Sequence, residues 1–431
     1  MMHQITPFIS ELQEVIKSTI NQYPIKKDIV LQMLDGRLAS EMRRLVPIEN
    51  LREAGAFFTG SQLGKTVVSN EFSSTINKTS VLVDPTCGGG DLLLACTPYL
   101  QICDDLSETI SQWQSNLCGI DLHSEFVDIS KLRLILKALT LGADKNTSSF
   151  DLDSKYFLRF RNGSMFDNLE VLQSATHVLL NPPFYKMPSP ESCQWASGKV
   201  NAAAVFFEVC LDNVQSGTRV VAILPDVLRS GSRYEKWRNT IMLKSEIQKI
   251  QLYGQFDAWA DVDVFVVELI VKKKPLINSH VWAKQGDESE TTLSDKFDIS
   301  IGPVVDYRDP HEGPILKYIH PRGLTAWESV KVIESTRAFK GRTVQSPFVV
   351  VRRTSRQSDK YRAIGTIIDV EGDVAVENHL IVLKPKDGEM STCQDLLNNL
   401  KDERTNAWIN ETIRCRHLTI KSLANLPWWR D

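Results

Sequence analysis

The strongest constraint on this chain is a rhythm of short apolar runs separated by helical stretches, beginning near residue 80. The runs are Ser80–Asp84, Leu117–Asp121, Val178–Asn181, Val220–Leu224, Lys249–Tyr253 and Val262–Val271. Several end in a small or polar turn and give way to an amphipathic segment. Alternation of this kind predicts an α/β fold, a parallel sheet covered by helices on both faces. In such sheets ligands sit at the carboxyl ends of the strands, so polar residues there carry the most functional information. The first fifty residues predict helices instead. Phe8, Leu12, Val15, Ile16 and Ile20 recur at helical spacing, and Pro24 separates them from a second helical segment over Ile29–Leu45.

Composition bounds the function. The 431 residues suggest two or three domains, or one large domain with additions. Apolar residues at 42% allow a packed core and exclude wholesale disorder. Lys and Arg number 50 against 53 Asp and Glu, which excludes a uniformly basic coat but not a local basic patch. The most apolar run, Val262–Val271, is broken by Asp263 and Glu268, so no membrane span is expected. Met1–Glu11 has neither a basic cluster nor an apolar signal core, and the 8 scattered cysteines read as reduced, buried thiols. A cytoplasmic location is therefore expected.

The first chemical constellation follows the first strand. Ser80–Val83 runs into Asp84-Pro85-Thr86-Cys87-Gly88-Gly89-Gly90 and then the helix start Asp91-Leu92-Leu93-Leu94. Glycines at a strand-to-helix turn let the backbone approach a ligand, and the helix start offers free N–H groups. The spacing differs from a dinucleotide GxGxxG, and Asp84 argues against a phosphate. An acidic residue suits an amino-bearing ligand. The next strand ends at Gly119-Ile120-Asp121, where a carboxylate is the usual acceptor for ribose hydroxyls. A nucleoside cofactor with an amino-acid tail meets both demands, which points to S-adenosylmethionine. A rival nucleotide signal, Gly60-Ser61-Gln62-Leu63-Gly64-Lys65-Thr66, has three residues between its glycines where a P-loop needs four, and is rejected.

The second constellation ends the run His177–Leu180. Asn181-Pro182-Pro183-Phe184 is a stiff, extended turn. Its prolines lack N–H donors, so carbonyls and the Asn181 side chain dominate: an acceptor site for the two hydrogens of a planar amino group. Holding those hydrogens would aim the nitrogen lone pair at an electrophile such as a sulfonium methyl. Phe184 offers an aromatic face for a base. The loop Lys186–Lys199, with Trp195, reads either as a DNA-facing element or as a disordered surface loop. His123 and His177 read as structural, because no Cys/His spacing suggests a metal site. No nuclease-like carboxylate and lysine cluster is found.

The stretch Gly286–Asp298 is acidic and Ser/Thr-rich, and is expected to be a linker or exposed loop. Beyond it the charge changes sign. Residues 321–431 carry 18 Lys/Arg against 14 Asp/Glu. Eight of the basic residues lie between Arg337 and Arg362, where Asp359 is the one acidic residue. A docked polyanion and an ordinary solvated face are both consistent with that charge. Arg414, Arg416 and His417 form a second basic group of open role, and Trp428-Trp429 reads as packing.

Taken together, the two constellations resemble the amino-group DNA methyltransferases whose cofactor motif precedes the catalytic motif and whose target-recognition domain is C-terminal. Asp84–Gly90 is similar to the family's Asp/Asn-Pro-x-Cys-Gly-x-Gly. Asn181–Phe184 is similar to its Asn-Pro-Pro-Tyr/Phe, which implies adenine as the substrate. Gly55-Ala56-Phe57-Phe58-Thr59 looks like the segment that closes over the cofactor, with Gly60 in place of a proline. Arg161–Phe166 looks like the Gly-Asp-x-Phe/Leu segment, with Ser164 where an Asp usually stands.

The resemblance implies a Rossmann-like seven-stranded S-adenosylmethionine-dependent methyltransferase domain at residues 51–275. A helical segment over 1–50 would precede it, and a smaller α+β target-recognition domain over 276–431 would follow. It implies Asn181, Pro182, Pro183 and Phe184 as catalytic. Phe58, Thr59, Asp84, Pro85, Cys87, Gly88, Gly90, Asp121, Ser164, Met165 and Asn181 would hold the cofactor. Arg352, Arg353, Arg356, Lys360 and Arg362 would hold DNA. The implied reaction is methylation of the N6 amino group of an adenine flipped from double-stranded DNA, in a restriction-modification or phage-defence system whose restriction subunit would be a separate partner. Methyltransferases acting on RNA adenine or protein glutamine share the Asn-Pro-Pro motif and remain alternatives, as does a catalytically silent DNA-recognition subunit.

Overall fold

The computed structural model describes residues 5–47, 49, 51, 58–145, 147, 150–257, 262–272, 282, 291–414 and 416–429. The chain divides into two compact units, residues 1–228 with 233–280, and residues 229–232 with 281–431.

The first unit is built on seven strands: β1 (Leu82–Asp84), β2 (Leu117–Asp121), β3 (Arg161–Asn162), β4 (His177–Leu180), β5 (Arg219–Pro225), β6 (Ser245–Gln255) and β7 (Asp263–Val271). Their order across the sheet is β3-β2-β1-β4-β5-β7-β6. The first five in that order run parallel. β7 is antiparallel to β5, and β6 to β7. The expected parallel sheet is thus mixed at one edge, because an apolar run fixes a buried strand but not its direction. β3 escaped the sequence reading because it is two exposed residues without an apolar run.

The order reverses between β1 and β4, which pair directly through Leu82 with His177 and Val83 with Val178. Such a reversal opens a crevice at the strand ends. It brings the chain after Asp84 beside the chain after Leu180.

The N-terminal helices join this unit's core. Phe8, Leu12 and Ile16 on the helix Thr6–Ile20 are buried with Ile129 and Leu136 of the helix Ser124–Thr140. Each such side chain stabilises the fold by roughly 1.5–3 kcal/mol. The second helical segment expected over Ile29–Leu45 is two helices, Lys27–Leu34 and Arg37–Leu45. Gly36 between them has φ +79, a conformation that interrupts a right-handed helix.

The second unit is α+β. One sheet orders Phe297–Ile301, Leu380–Pro385, Phe348–Arg352, Gly365–Ile368 and Ser329–Val330. A second orders Thr336–Ala338, Ile315–Ile319, Asp373–Val376 and Val344–Gln345. Strand alternation divides the apolar residues between two cores. Val349, Val351, Ile381 and Leu383 pack with Leu396, Leu400, Trp408 and Ile409 of the C-terminal helices. Phe348, Val350 and Val382 face Val374 and Val376 instead. Trp428 and Trp429 pack against the first of these cores, and Trp429 Nε1 donates to Thr405 Oγ1 at 2.7 Å.

The expected linker Gly286–Asp298 is corrected in its described part. Thr292 and Asp295 form a capping box on the helix Leu293–Lys296, which leads into the strand Phe297–Ile301. Leu293 and Phe297 are buried anchors that a polar composition conceals. Residues 286–290 lie outside the described residues.

Candidate active site

A cleft open to solvent lies at the β1/β4 crevice. Its walls include Phe58, Pro85, Gly88, Asp121, Ser164, Met165, Asn181 and Pro183. Two segments about a hundred residues apart are therefore neighbours, and a hydrogen bond ties them: Thr86 Oγ1 donates to the Asn181 carbonyl at 3.3 Å.

The glycine turn is held by close packing. Gly90 precedes the helix Asp91–Cys96 with φ +83, and a Cβ there would lie 2.9 Å from Ser130 Oγ. A Cβ on Gly89 would lie 2.2 Å from Leu38 Cδ2. Arg133, almost wholly buried, donates to the carbonyls of Met33 at 3.0 Å and Leu34 at 2.6 Å, and to Gly89 O at 2.5 Å. It also pairs with Asp91 Oδ1 at 2.8 Å. One guanidinium thus fastens the end of the helix Lys27–Leu34 to the glycine turn. No spacing rule singles Arg133 out.

Asp121 lies on the cleft wall with both oxygens oriented. Oδ2 accepts Gly88 N–H and Oδ1 accepts His123 N–H, each at 2.9 Å. Burial raises its pKa, and those two N–H bonds oppose the shift. A carboxylate has further acceptor capacity beyond two hydrogen bonds. Asp84 lies beneath the wall, buried, with Oδ1 accepting Thr86 N–H at 3.0 Å. Burial pushes its carboxyl up to about 8, with the Asp121 and Asp91 charges adding to the rise. Cys87 is buried too, and its thiol is held well above the usual range by burial and then by Asp84. That excludes a thiolate nucleophile.

On the other wall, Asn181 Nδ2 donates to Thr59 Oγ1 at 3.0 Å. Pro182 is buried, Pro183 reaches the cleft, and Phe184 is half-buried edge-on to Phe256 with ring centres 5.9 Å apart. Asn201 Nδ2 donates to the Phe184 carbonyl at 3.2 Å, while Asn201 Oδ1 caps the helix Ala202–Asn213 through Ala203 N–H. Asn201 thereby fixes the exit of the Asn-Pro-Pro-Phe turn. Ser164 lines the cleft and its Oγ accepts Phe166 N–H at 3.2 Å.

Leu122, His123, Phe126 and Phe206 also line the cleft, and sequence reasoning did not assign them there. Leu122 and His123 follow Asp121 directly, a signal that was open to use. Phe126 and Phe206 lie inside helices and carry none. Phe58 packs edge-on to Phe126 at 5.4 Å. His177 is structural: Nε2 meets Thr75 Oγ1 at 2.9 Å, and burial lowers its pKa to about 4. Gly55, Ala56 and Phe57 lie outside the described residues.

The loop after the Asn-Pro-Pro-Phe turn corrects the disordered alternative. Lys186–Pro188 and Lys199–Asn201 form an antiparallel hairpin. Trp195 is buried between them in sequence, and its Nε1 donates to Glu208 at 2.5 Å. The P-loop-like stretch forms the helix Gly60–Val67. Its first amides are already taken, Gly60 N–H by Asp91 Oδ2 at 3.1 Å and Ser61 N–H by Asp35 Oδ1 at 2.9 Å. Carboxylates occupy the place a phosphate would need.

The basic stretch Arg337–Arg362 does not form one surface. Arg362 is corrected as a DNA contact, since its side chain is buried, with Nε donating to Ser355 Oγ at 2.9 Å and Nη1 to Asn410 Oδ1. Arg337 is buried against Asp306, and Lys340 pairs with Glu312 at 2.9 Å, so acidic partners arrive from an earlier segment. Arg352 donates to the Leu324 carbonyl at 2.8 Å and, like Arg353, is half-buried. Arg356 and Lys360 are exposed. Among the described residues no group of acidic, His and Cys side chains is arranged to hold a metal ion, and no helix is long and apolar enough to cross a membrane.

The chain is 25% identical over 288 residues to the type II methyltransferase M.BsuBI of Bacillus subtilis, a match covering 63% of this chain and 53% of that one. It thus spans about half the length of the curated relative it matches. The solved structure of the type IIL restriction-modification enzyme MmeI in complex with DNA aligns over 94% of this chain and 68% of that one. Its TM-score is 0.51 at 11% identity, a likeness of fold. No family model matches the chain. With its seven-stranded, mostly parallel sheet and these likenesses, the chain has an α/β methyltransferase-like fold and resembles the methyltransferases of restriction-modification systems.

Proposed function

We propose that the protein is a site-specific DNA methyltransferase of the restriction-modification type, which methylates the N6 amino group of an adenine flipped out of the duplex. One observation carries this reading. Asn181 and Pro183 face the same cleft as Gly88 and Asp121, and the Thr86 hydroxyl bridges the two loops.

The residues present fit S-adenosylmethionine by the chemistry of their groups. Asp121, oriented by two backbone N–H bonds, would accept from the ribose hydroxyls. Leu122, Met165 and Phe206 supply apolar surface for an adenine ring. Phe58 and the glycine turn close the other end. When bound, the cofactor supplies an electrophilic methyl on a sulfonium. The Asn181 side-chain oxygen and the Pro182 carbonyl accept the two amino hydrogens of the target base, which localises the nitrogen lone pair and directs it into the cleft. The alkylated nitrogen then loses its proton readily, so no strong base is required. Thr59 and Asn201 hold the turn in place, one at the Asn181 amide and the other at the Phe184 carbonyl. Phe184, braced by Phe256, offers its ring to the extruded base.

In this reading residues 276–431 form the target-recognition domain, exposed Arg356 and Lys360 contact phosphates, and the protein works in the cytoplasm beside a separate restriction or defence subunit. The test is modified-base sequencing of DNA from a host expressing the wild type or Asn181→Ala. N6-methyladenine at one sequence in the wild type, and none with a folded Asn181→Ala variant, is expected. Methyl transfer to RNA or protein alone would replace the substrate. Tight DNA binding without transfer by the wild type would mean a silent recognition subunit.

A further inference from the structure

A second and larger cavity lies within the first unit and shares no lining residue with the cofactor cleft. It holds ≈ 760 Å³ and is bounded by the helices Lys27–Leu34, Gly60–Val67, Asp91–Cys96 and Ser124–Thr140. The proposed methyl transfer uses none of it. Two features define its chemistry.

The first is charge. Lys65 and Lys137 both line the cavity, and the carboxylates near them already accept hydrogen bonds. Asp35 accepts from Ser61 N–H and its hydroxyl, and Asp91 accepts from Gly60 N–H and the Arg133 guanidinium. Neither lysine ammonium has an ion-pair or hydrogen-bond partner among the described residues. Lys137 is half-buried, and burial together with the Lys65 charge holds its ammonium below the usual range. Two ammonium groups brought near each other favour an anion between them. The Arg133 guanidinium offsets Asp91, and Asp35 opposes one of the two lysines, so the cavity keeps one positive charge in excess.

The second feature is an apolar wall. Leu34, Val68, Leu94 and Ala95 line the cavity, and Leu31 and Tyr99 stand at its edge 51% and 44% exposed. A bare inorganic ion would leave this surface wet. A phosphodiester strand would bring charge without an apolar body to cover it.

We propose that this cavity binds a small organic anion, a phosphate or carboxylate on an apolar body, with the charged group between Lys65 and Lys137 and the body against Leu34, Val68 and Leu94. The site is separate from the cofactor cleft and its existence does not depend on the methyltransferase reading.

The full chain is titrated with 1-anilinonaphthalene-8-sulfonate, an aromatic anion whose fluorescence reports burial, and the dye is then displaced with phenyl phosphate or with octanoate. Saturable binding is expected, and whichever competitor releases the dye identifies the anionic group. Replacing a charge-assisted contact should raise the dye Kd about tenfold for Lys137→Met and about a hundredfold for the Lys65→Met/Lys137→Met pair. Lys65→Arg and Lys137→Arg keep the charge and should keep the affinity, which also guards against a methionine variant that fails to fold. Wild-type affinity in a folded double methionine variant, or release of the dye by duplex DNA but by neither competitor, would overturn the proposal.

Discussion

The Asp84–Gly90 turn and the Arg337–Arg362 stretch carry equally plain sequence signals, yet the fold puts them to different uses. The turn is a contiguous motif, and in the proposed function its backbone is the working part. Its neighbours, Asp121 and Asn181, sit at the ends of strands adjacent to it, so sheet topology brings them to one cleft. The basic stretch is a count of charges, of which Arg337 and Arg352 lie on strands and the rest on the connections between them. Each side chain is buried or exposed according to the partner that packing brings to it. Arg362 and Arg337 are consumed by internal partners, while Arg356 and Lys360 reach solvent. A motif that works through its backbone survives folding as one site. A cluster defined by side-chain charge does not.

Four measurements would break or sharpen this contrast. Arg362→Ala should have the largest effect, a loss of about 3 kcal/mol in denaturant unfolding, because it empties a buried site and strands the polar groups of buried Ser355 and half-buried Asn410. If Arg362 were a surface phosphate contact, stability would instead be nearly unchanged. Gly89→Ala should follow at about 1–3 kcal/mol, since its Cβ has no room beside Leu38 and the neighbouring Arg133 resists movement.

The third measurement is pH dependence. Burial pushes the Asp84 carboxyl in the folded protein up to about 8, from the ordinary aspartate value of 3.8. Between those values the unfolded chain has released a proton that the folded chain keeps, so stability should fall as pH rises from about 4 to about 8. Asp84→Asn should flatten that fall. An unaltered pH profile would mean that Asp84 is ionised in the fold. Smallest should be Arg356→Ala with Lys360→Ala, which should leave stability within about 0.5 kcal/mol while lowering the salt slope of DNA binding by roughly 1–2. An unchanged slope would remove both residues from the proposed DNA interface.

Much of the fold was legible because buried strands and strand-end turns are written locally. β2 spans Leu117–Asp121 as its apolar run predicts, and β7 differs from its run by one residue. The edge strand β3 was not legible, because two exposed residues leave no periodic trace. Nor was the direction of β6 and β7, since direction depends on connections rather than composition. At the candidate site, Leu122 and His123 could have been read from their place after Asp121. Phe126, Arg133 and Phe206 could not, because helices that are apolar on most sides give no sign of which residue meets a cleft.

The sequence by itself determined the strand-end chemistry: a glycine turn, a carboxylate one strand away and an acceptor-rich Asn-Pro-Pro-Phe turn. Their character depends on residues that are neighbours along the chain. Only the tertiary structure decided which charges are available. Arg133 and Arg362 are locked inside, while Lys65 and Lys137 come together across two helices. A charge acts through distance and solvent exposure, and both are set by packing between segments far apart in the chain.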